Sequence, residues 1–433
     1  MKNNKKPARI KKSLFYSYID GVFASVMVGL RDTFITPFAI ALGAATAQVG
    51  LLSSLPNLVA SLAQIKSADV TEKLRSRKKV ISFSVFIHAV LFLPILLIPF
   101  FLQGKNTQIN FLIFFYILHL SFGNFSAPPW GSLISKYIPA NKRGKYFGFR
   151  NKTLGFITVA SAFIGSFILQ GLSQFNLFLG YAVLFFVALV SRLISWHYLN
   201  KMYEPPFRVN EDAQFSFFEF VATIKKSNFT RFVFYVAAMN FCVYIASPFF
   251  AVYILRDLRM NYPAYTLVTM AATMTILLAT ERWGSRADIF GNIKVIRTCS
   301  FFVPFVPMLW IFSSNIFYLI VIQIVAGFFW SGFNIATSNF IFDSVSPAKR
   351  TRCIAYFNVI TGTAMFLGAS VGGYAAAFLP NLFGYRLLTL FFVSGLIRIF
   401  IAAFSFLLKE VRPVRHTTGF RLLQETIGFS WPQ

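Results

Sequence analysis

Charged residues are scarce in this chain of 433 amino acids. Asp, Glu, Lys and Arg make up 13% of it and hydrophobic residues make up 56%, whereas soluble domains carry about 25% charged residues. Long stretches lack charge altogether, at 33–65, 80–104, 153–191, 232–255, 298–342 and 353–385. Each is at least as long as the roughly 20 residues of one helical membrane crossing. A soluble fold is therefore excluded, and a multi-pass membrane protein is predicted.

Several chemical signatures are also missing. The three cysteines, Cys242, Cys299 and Cys353, are far apart and form no CxxC pair, which excludes a disulfide framework. No GxxxxGK[ST] loop and no HExxH pair occurs, and the four histidines are scattered. These absences argue against an ATP-driven pump and a zinc hydrolase. We therefore expect no cofactor, no metal site and no enzymatic activity.

The apolar runs predict helices, because they are too long and too continuous for barrel strands. The stretch 298–342 is more than twice the length of one crossing, so we expect two helices there, joined by a hairpin at residues 313–315. The predicted fold class is an all-α polytopic membrane protein with twelve transmembrane helices in two six-helix bundles. The predicted spans are 14–40, 46–65, 80–102, 109–135, 153–172, 176–200, 229–255, 263–283, 294–313, 315–342, 354–379 and 385–408.

The basic residues predict the orientation. Of the 41 Lys and Arg residues, only Lys105, Arg256, Arg259 and Arg386 fall on the side opposite the termini. Because positive charge accumulates on the cytoplasmic side, we expect both termini in the cytoplasm and the chain in the cytoplasmic (inner) membrane. The basic start of the chain is then a cytoplasmic tail rather than a removed signal peptide. The net charge of +27 is explained by orientation, so no nucleic-acid partner is expected.

The two halves of the chain repeat one another, which indicates two pseudosymmetric bundles. Residues 127–169 match residues 334–376: Pro139, Lys142 and Arg143 correspond to Pro347, Lys349 and Arg350. Arg192 in span 6 has a counterpart in Arg398 of span 12. The predicted organisation is a basic tail (1–13), a first bundle (14–200), a cytoplasmic linker with an amphipathic helix (201–228), a second bundle (229–408) and a second tail (409–433).

The loops after spans 2 and 8 complete a recognisable pattern. The chain resembles the major facilitator superfamily, whose signature loop after span 2 reads G-x-x-x-D-R/K-x-G-R/K-R/K and is often echoed after span 8. The echo keeps four of the signature residues: Gly284, Asp288, Gly291 and Lys294. The first copy keeps Asp69 and is followed by Arg77, but it has Ile65 and Glu72 at the glycine positions.

This resemblance covers the whole chain. It implies alternating access, in which two halves rock about a central site lined by spans 1, 4, 7 and 10. Independently of the family, a carboxylate beside a basic loop can pair in one state and separate in another. We expect Asp69 and Asp288 to form such a latch, with Arg143 and Arg350 as partners. The alternative is that the basic residues only anchor the loops to anionic headgroups.

Span 1 contains the most unusual residues, because ionisable groups inside a span are costly and are usually functional or paired. Asp20 and Arg31 lie three turns apart on one face. Arg31 is the best candidate to bind a carboxylate or phosphate, and Asp32 is its candidate counter-ion or a proton acceptor. The alternatives are a structural ion pair between helices and, for Asp20, a place at the cytoplasmic rim.

Further candidates for a pocket are polar and aromatic residues on spans 4, 7 and 10. They are Asn124, Ser126, Trp130, Asn240, Tyr244, Trp330 and Asn334. The adjacent Pro128 and Pro129 predict a kink in span 4. The alternative for each candidate is ordinary hydrogen bonding between helices. His88 and His119 are interpreted as interior residues, and we expect Arg192 and Arg398 to extend to the headgroups.

The leading interpretation is a secondary active transporter, a symporter or antiporter, that moves a small-molecule substrate across the lipid bilayer as a monomer. Without a nucleotide-binding loop, its energy must come from an ion or solute gradient. Protons are the expected coupling ion, and a uniporter or an exchanger is the alternative. Two alternatives remain: a translocase for lipids or lipophilic compounds, which the 56 phenylalanines would suit, and a non-transporting sensor on the same fold.

Overall fold

A computed structural model of the chain describes residues 5–139, 143–206, 227–345, 347–415 and 417–428. Side chains are described for these ranges except at 5–7, 143–145 and 347–352. The amphipathic helix predicted in the linker lies outside them. No strand occurs in the described ranges, so the predicted all-α fold class is confirmed.

In the described part of the first half the chain forms eight helices. They are α1 (Lys5–Ala41), α2 (Thr46–Leu74), α3 (Arg77–Val90), α4 (Phe92–Phe101), α5 (Lys105–Phe125), α6 (Ala127–Ser135), α7 (Arg143–Ser173) and α8 (Leu177–Asn200). The expected kink in span 4 is present, because α5 ends one residue before Ser126 and α6 begins with Ala127 and the proline pair. Pro37, in contrast, lies inside α1 without interrupting it.

The described part of the second half contains eight more α-helices of five residues or longer. They are α9 (Asn228–Tyr244), α10 (Tyr262–Phe290), α11 (Asn292–Phe302), α12 (Phe305–Leu309), α13 (Ile316–Ser344), α14 (Pro347–Phe378), α15 (Arg386–Ala403) and α16 (Gly419–Ile427). After α9 the chain passes Pro248 in a 3₁₀ turn and then forms a π-helical turn at Tyr253–Asp257. The expected hairpin is confirmed, since Asn315 caps α13 by accepting a hydrogen bond from the Phe317 amide.

Eleven segments of the described chain are long and apolar enough to cross a membrane. They include most of the predicted spans, with α3–α4 and α5–α6 each forming one crossing. The predicted span 46–65 corresponds to α2, which has the length of a crossing but falls outside the eleven. Its polar residues, such as Ser53, Ser54 and Asn57, lower its hydropathy, and Ser54 and Asn57 bond to carbonyls of their own helix.

The helices divide into two compact units. Unit 1 comprises residues 1–210 and 259–266, and unit 2 comprises 211–258 and 267–433. In unit 1, α1 packs against α7 and α8, and α2 packs against α5. In unit 2, α9 packs against α14 and α15, and α11 packs against α13. The first helices of the two halves, α1 and α9, therefore pack in similar ways within their units.

Glycines allow the closest helix contacts in both units. A Cβ added at Gly29 would collide with the carbonyl oxygen of Thr158, where α1 meets α7. A Cβ added at Gly368 would collide with the carbonyl oxygen of Phe241, where α14 meets α9. Close approach of two backbones through small residues is a common way to pack helices in lipid.

Replacing Gly368 by alanine should therefore destabilise unit 2. The methyl group has to push α9 and α14 apart, and overpacking of this kind typically costs about 1–3 kcal/mol. Thermal unfolding of the purified protein in detergent would measure the loss. Gly171→Ala is the matched control, because no atom lies within 4 Å of the added Cβ. Equal melting temperatures for the two variants would contradict this packing argument.

Candidate functional site

The interior of unit 1 contains a buried carboxylate between two guanidinium groups. Asp20 on α1 is 4% exposed, and its carboxylate accepts a hydrogen bond of 2.6 Å from the Ser195 hydroxyl. Nη1 of Arg192 and Nη2 of Arg150 each lie 4.0 Å from a carboxylate oxygen of Asp20. A buried charge needs such partners, so Asp20 is an interior ion-pair residue rather than a group at an open rim.

Arg192 on α8 connects this carboxylate to His88 on α3. Its Nη1 donates to the Ser195 hydroxyl over 2.9 Å, and its Nε donates to Nδ1 of His88 over 3.1 Å. The side chain is buried in unit 1. The expectation that Arg192 extends to the headgroups is therefore wrong: the residue faces α1 and α3 because a buried acid and an imidazole acceptor lie there.

The two histidine rings of spans 3 and 4 lie against each other in a tilted arrangement. Their ring centroids are 3.9 Å apart, and both side chains are buried, at 2% and 0% exposure. Nη1 of Arg31 lies 3.5 Å from Nε2 of His88 and 3.5 Å from Nε2 of His119. Sequence alone does not reveal this meeting, since the histidines are on different helices and form no motif.

Arg31 ends this series of contacts at an acid that is open to solvent. Its Nε donates to the Asp32 carboxylate over 2.6 Å, and the Arg31 side chain is 12% exposed. The Asp32 side chain is 51% exposed although it lies inside α1. An exposed carboxylate inside a membrane span requires a water-filled surface rather than lipid.

These groups form one connected series, which we call the polar chain. It consists of Asp20, Arg31, Asp32, His88, His119, Arg150, Arg192 and Ser195. With neutral imidazoles, its three arginines and two aspartates leave one positive charge in excess. Such a concentration of ionisable groups inside spans marks a functional site more often than a structural one.

The matching arginine of unit 2 has a different environment. Arg398 is 2% exposed, and it donates to the Ser394 hydroxyl and to the Val243 carbonyl, both over 3.2 Å. In the described part of the chain, no carboxylate pairs with it. The headgroup expectation is therefore wrong here too, and among the described residues Arg398 has no counterpart to the Asp20 carboxylate beside Arg192.

Of the other pocket candidates, only Trp130 adjoins the polar chain, with its ring 4.8 Å from the Arg150 guanidinium. Ser126 and Asn240 donate to carbonyls of their own helices. Tyr244 and Trp330 pack against the hydrophobic core of unit 2. The remaining two differ in exposure: Asn124 is half-buried in unit 1, and Asn334 is exposed on α13.

The first signature loop is organised by an acid that the family pattern does not include. Glu204, after α8, accepts hydrogen bonds from the backbone amides of Arg77 and Lys78 over 2.6 and 3.2 Å. The Arg77 side chain donates to the Ser132 hydroxyl over 2.9 Å. Asp69 is exposed and pairs with Lys66 at 3.6 Å. The side chain of its expected partner Arg143 lies outside those described.

A buried tyrosine also holds the segment before Glu204. The Tyr137 hydroxyl donates to the Tyr203 carbonyl. Burial raises the pKa of this phenol to about 12. The hydroxyl therefore stays protonated at physiological pH, and it keeps its role as a donor.

The second signature loop is bound by the residues that follow span 12. Gly291 has a φ of +91°, and beside it the Glu410 carboxylate accepts from the Ile293 amide over 2.8 Å. Asp288 lies 3.9 Å from Arg412, which is also 3.0 Å from Asp343. The two other signature residues, Gly284 and Lys294, are half-buried.

Glu204 and Glu410 occupy matching positions after the two halves, so the repeat extends to these acids. Comparing the two segments in the sequence could have revealed them. Among the described residues, the partner of Asp288 is Arg412 in the second tail. The side chain of its expected partner Arg350 lies outside the residues described. The latch across the halves stays a prediction.

Comparison with protein families gives a match to the model described as Major Facilitator Superfamily, over residues 21–280 and 241–427. A search of curated proteins gives no significant match. Among solved structures, an inward-facing, unoccupied bacterial homologue of the human lysosomal transporter Spinster aligns with a TM-score of 0.65 at 16% identity, over 96% of this chain and 98% of that one. The nucleoside transporter NupG aligns with a TM-score of 0.67 at 15% identity, over 92% and 98%.

Proposed function

Because the chain belongs to the Major Facilitator Superfamily, we propose that it is a secondary active transporter that moves a small solute by alternating access, coupled to protons. The observation that carries this proposal is the Arg31–Asp32 pair, which places a half-exposed carboxylate inside a membrane span. A purely structural ion pair would be buried between helices, whereas half of the Asp32 side chain is exposed.

The polar chain supplies a physical basis for proton coupling. Asp32 is exposed and can exchange a proton with water, while Asp20 is buried between Arg150 and Arg192. Any change in the charge of Asp32 acts on Arg31, which contacts both histidines. We propose that Asp32 carries the coupling proton and that the rest of the polar chain holds Arg31 in position.

The proposed location is the cytoplasmic membrane with both termini in the cytoplasm. The distribution of Lys and Arg supports it. Nucleoside transport is a property of NupG. At 15% identity the likeness extends to the fold, so no nucleoside specificity is proposed for this chain.

A lipid translocase is the second candidate. An apolar cavity of about 450 Å³ lies between α2, α3 and α5 in unit 1. Phe83, Phe122 and Phe125 contribute to its lining, and Lys79 is the charged residue there. Such a lining suits an acyl chain with an anionic headgroup.

Proteoliposomes with an internal pH-sensitive dye would test the first proposal. Under an imposed pH gradient, a panel of metabolites is added, and the expected result is proton entry that depends on one of them. Asp32→Asn should slow this coupled entry at least about tenfold, because the proton site is lost. The matched control is Asp257→Asn, which removes the acid of another adjacent pair, Arg256–Asp257.

Movement of a labelled phospholipid without a solute response would favour the translocase. Absence of both activities would contradict transport and favour a sensor. Normal coupled flux in Asp32→Asn would leave transport standing but would remove Asp32 as the proton carrier.

A further inference from the structure

The contact between Arg31 and His88 brings two hydrogen-bond donors face to face. Nδ1 of His88 accepts the hydrogen bond from Nε of Arg192, so this nitrogen carries no proton. A neutral imidazole then carries its single proton on Nε2. That N–H is directed at Nη1 of Arg31 over 3.5 Å, and a guanidinium has no acceptor. The two groups cannot bond to each other, but both can bond to one acceptor atom placed between them.

Two neighbouring residues, His119 and Gly123, border this point. Nε2 of His119 lies at the same 3.5 Å from Nη1 of Arg31, and Nδ1 of His119 is buried without a hydrogen-bond partner among the described groups. Gly123 borders His88 on the α5 side, where an added Cβ would be 3.1 Å from Nε2. A side chain at residue 123 would therefore press on the His88 ring beside the converging donors.

The charge of the polar chain favours an anion at this point. Arg31, Arg150 and Arg192 outnumber Asp20 and Asp32 by one, and the side chain of Arg31 is the one nearest to the exposed Asp32. A buried excess charge is costly. A negative oxygen bound between Arg31 and His88 would both satisfy the donors and neutralise the excess.

We propose that the converging donors of Arg31 and His88 bind an oxygen of a carboxylate or phosphate group, so that the substrate class is a small anion. This rests on the proposed transport function and names the substrate of the same site. Asp32 competes with that anion for Arg31, because its carboxylate already occupies the Nε donor. His88 is then a substrate-binding residue, and His119 lies beside the site.

Binding to the purified full chain in detergent tests this directly. The probes are inorganic phosphate and succinate, with succinamide as the neutral analogue and sodium chloride at matched ionic strength as the reference. A ligand that binds the folded state raises the melting temperature. We expect phosphate or succinate to raise it in the wild type, and Arg31→Gln to remove this shift. Asp32→Asn should bind about tenfold more tightly, because the competing charge is gone.

Two further variants keep the test decisive if Arg31→Gln does not fold. Gly123→Ala fills the space beside His88 without changing any charge and should weaken anion binding at least about tenfold. Its control is Gly131→Ala, where nothing lies within 4 Å of the added Cβ. Asp257→Asn should bind like the wild type, because Asp257 pairs with Arg256 in unit 2 and is not part of the polar chain.

The inference is overturned if neither anion shifts the wild type beyond the chloride reference. It is also overturned if Gly123→Ala binds as tightly as Gly131→Ala, or if succinamide binds as well as succinate. These outcomes are separate from failure of the proposed function. Anion binding without flux in proteoliposomes would contradict transport alone, whereas coupled flux of a neutral solute that persists in Arg31→Gln would contradict the anion site alone.

Discussion

Asp20→Asn is expected to produce the largest loss of stability of any single substitution in unit 1. The carboxylate is 4% exposed and lies 4.0 Å from both Arg150 and Arg192. Asparagine keeps the shape but removes the only negative charge between two buried guanidinium groups. Removing one partner of a buried ion pair typically costs about 3–5 kcal/mol. Thermal unfolding in detergent, together with the yield of folded protein, would measure the effect.

A second substitution distinguishes loss of charge balance from loss of shape. In Asp20→Asn/Arg192→Met, one of the two unpaired cations is removed as well, and part of the lost stability should return. Non-additivity of this kind is expected for groups in one network. Full additivity would show that Asp20 and Arg192 do not act as a pair.

Two control variants make the same types of substitution at residues outside the polar chain. Asp69→Asn removes an acid whose side chain is 70% exposed and whose partner is Lys66, so its effect should stay below about 1 kcal/mol. Arg398→Met removes a buried arginine that has no carboxylate partner among the described groups, and its cost should be small because no acid is left unpaired. A wild-type melting curve for Asp20→Asn would refute the account of the cluster.

The contrast between Arg192 and Arg398 shows where sequence analysis succeeds and where it ends. The repeat places both arginines at matching positions, and the apolar runs predict the helices that contain them. A single helix does not show which of its faces turns inward, so both residues were expected at the headgroups. Arg192 is buried because Asp20 and His88, which are remote in sequence, lie next to it in the fold.

The same reasoning applies to the candidate site. Arg31 and Asp32 are predictable because charge inside an apolar run is rare and costly. His88 and His119 are not, since their importance depends on a contact between their rings, which join α3 and α5. Local signals were reliable where chain geometry decides the outcome: Asn315 caps α13, and Pro128 and Pro129 follow the break in span 4.

Leu422→Asp is the substitution with the largest expected effect in unit 2. Leu422 on α16 is fully buried and belongs to the same hydrophobic cluster as Leu408. Thr418 caps the helix, and Arg286 donates to the Glu425 carboxylate over 3.2 Å. An aspartate at position 422 would place an unpaired charge in this cluster, at a cost of several kcal/mol. The structural change with the lowest free-energy cost is detachment of α16 from unit 2.

Hydrogen exchange across residues 417–428 would report this detachment as lost protection. Phe420→Asp is the matched control, because it makes the same apolar-to-acid change two residues away at a side chain that is 71% exposed. If α16 is as well protected in Leu422→Asp as in the Phe420→Asp control, the packing account is contradicted.

The tail also contacts the second signature loop, because Arg412 precedes α16 and pairs with Asp288 and Asp343. Detachment of α16 should therefore loosen this loop as well. Faster exchange at residues 288–294 in Leu422→Asp alone would then show that the tail restrains the Asp288 loop, and any latch formed by Asp288 would first have to break its contact with Arg412.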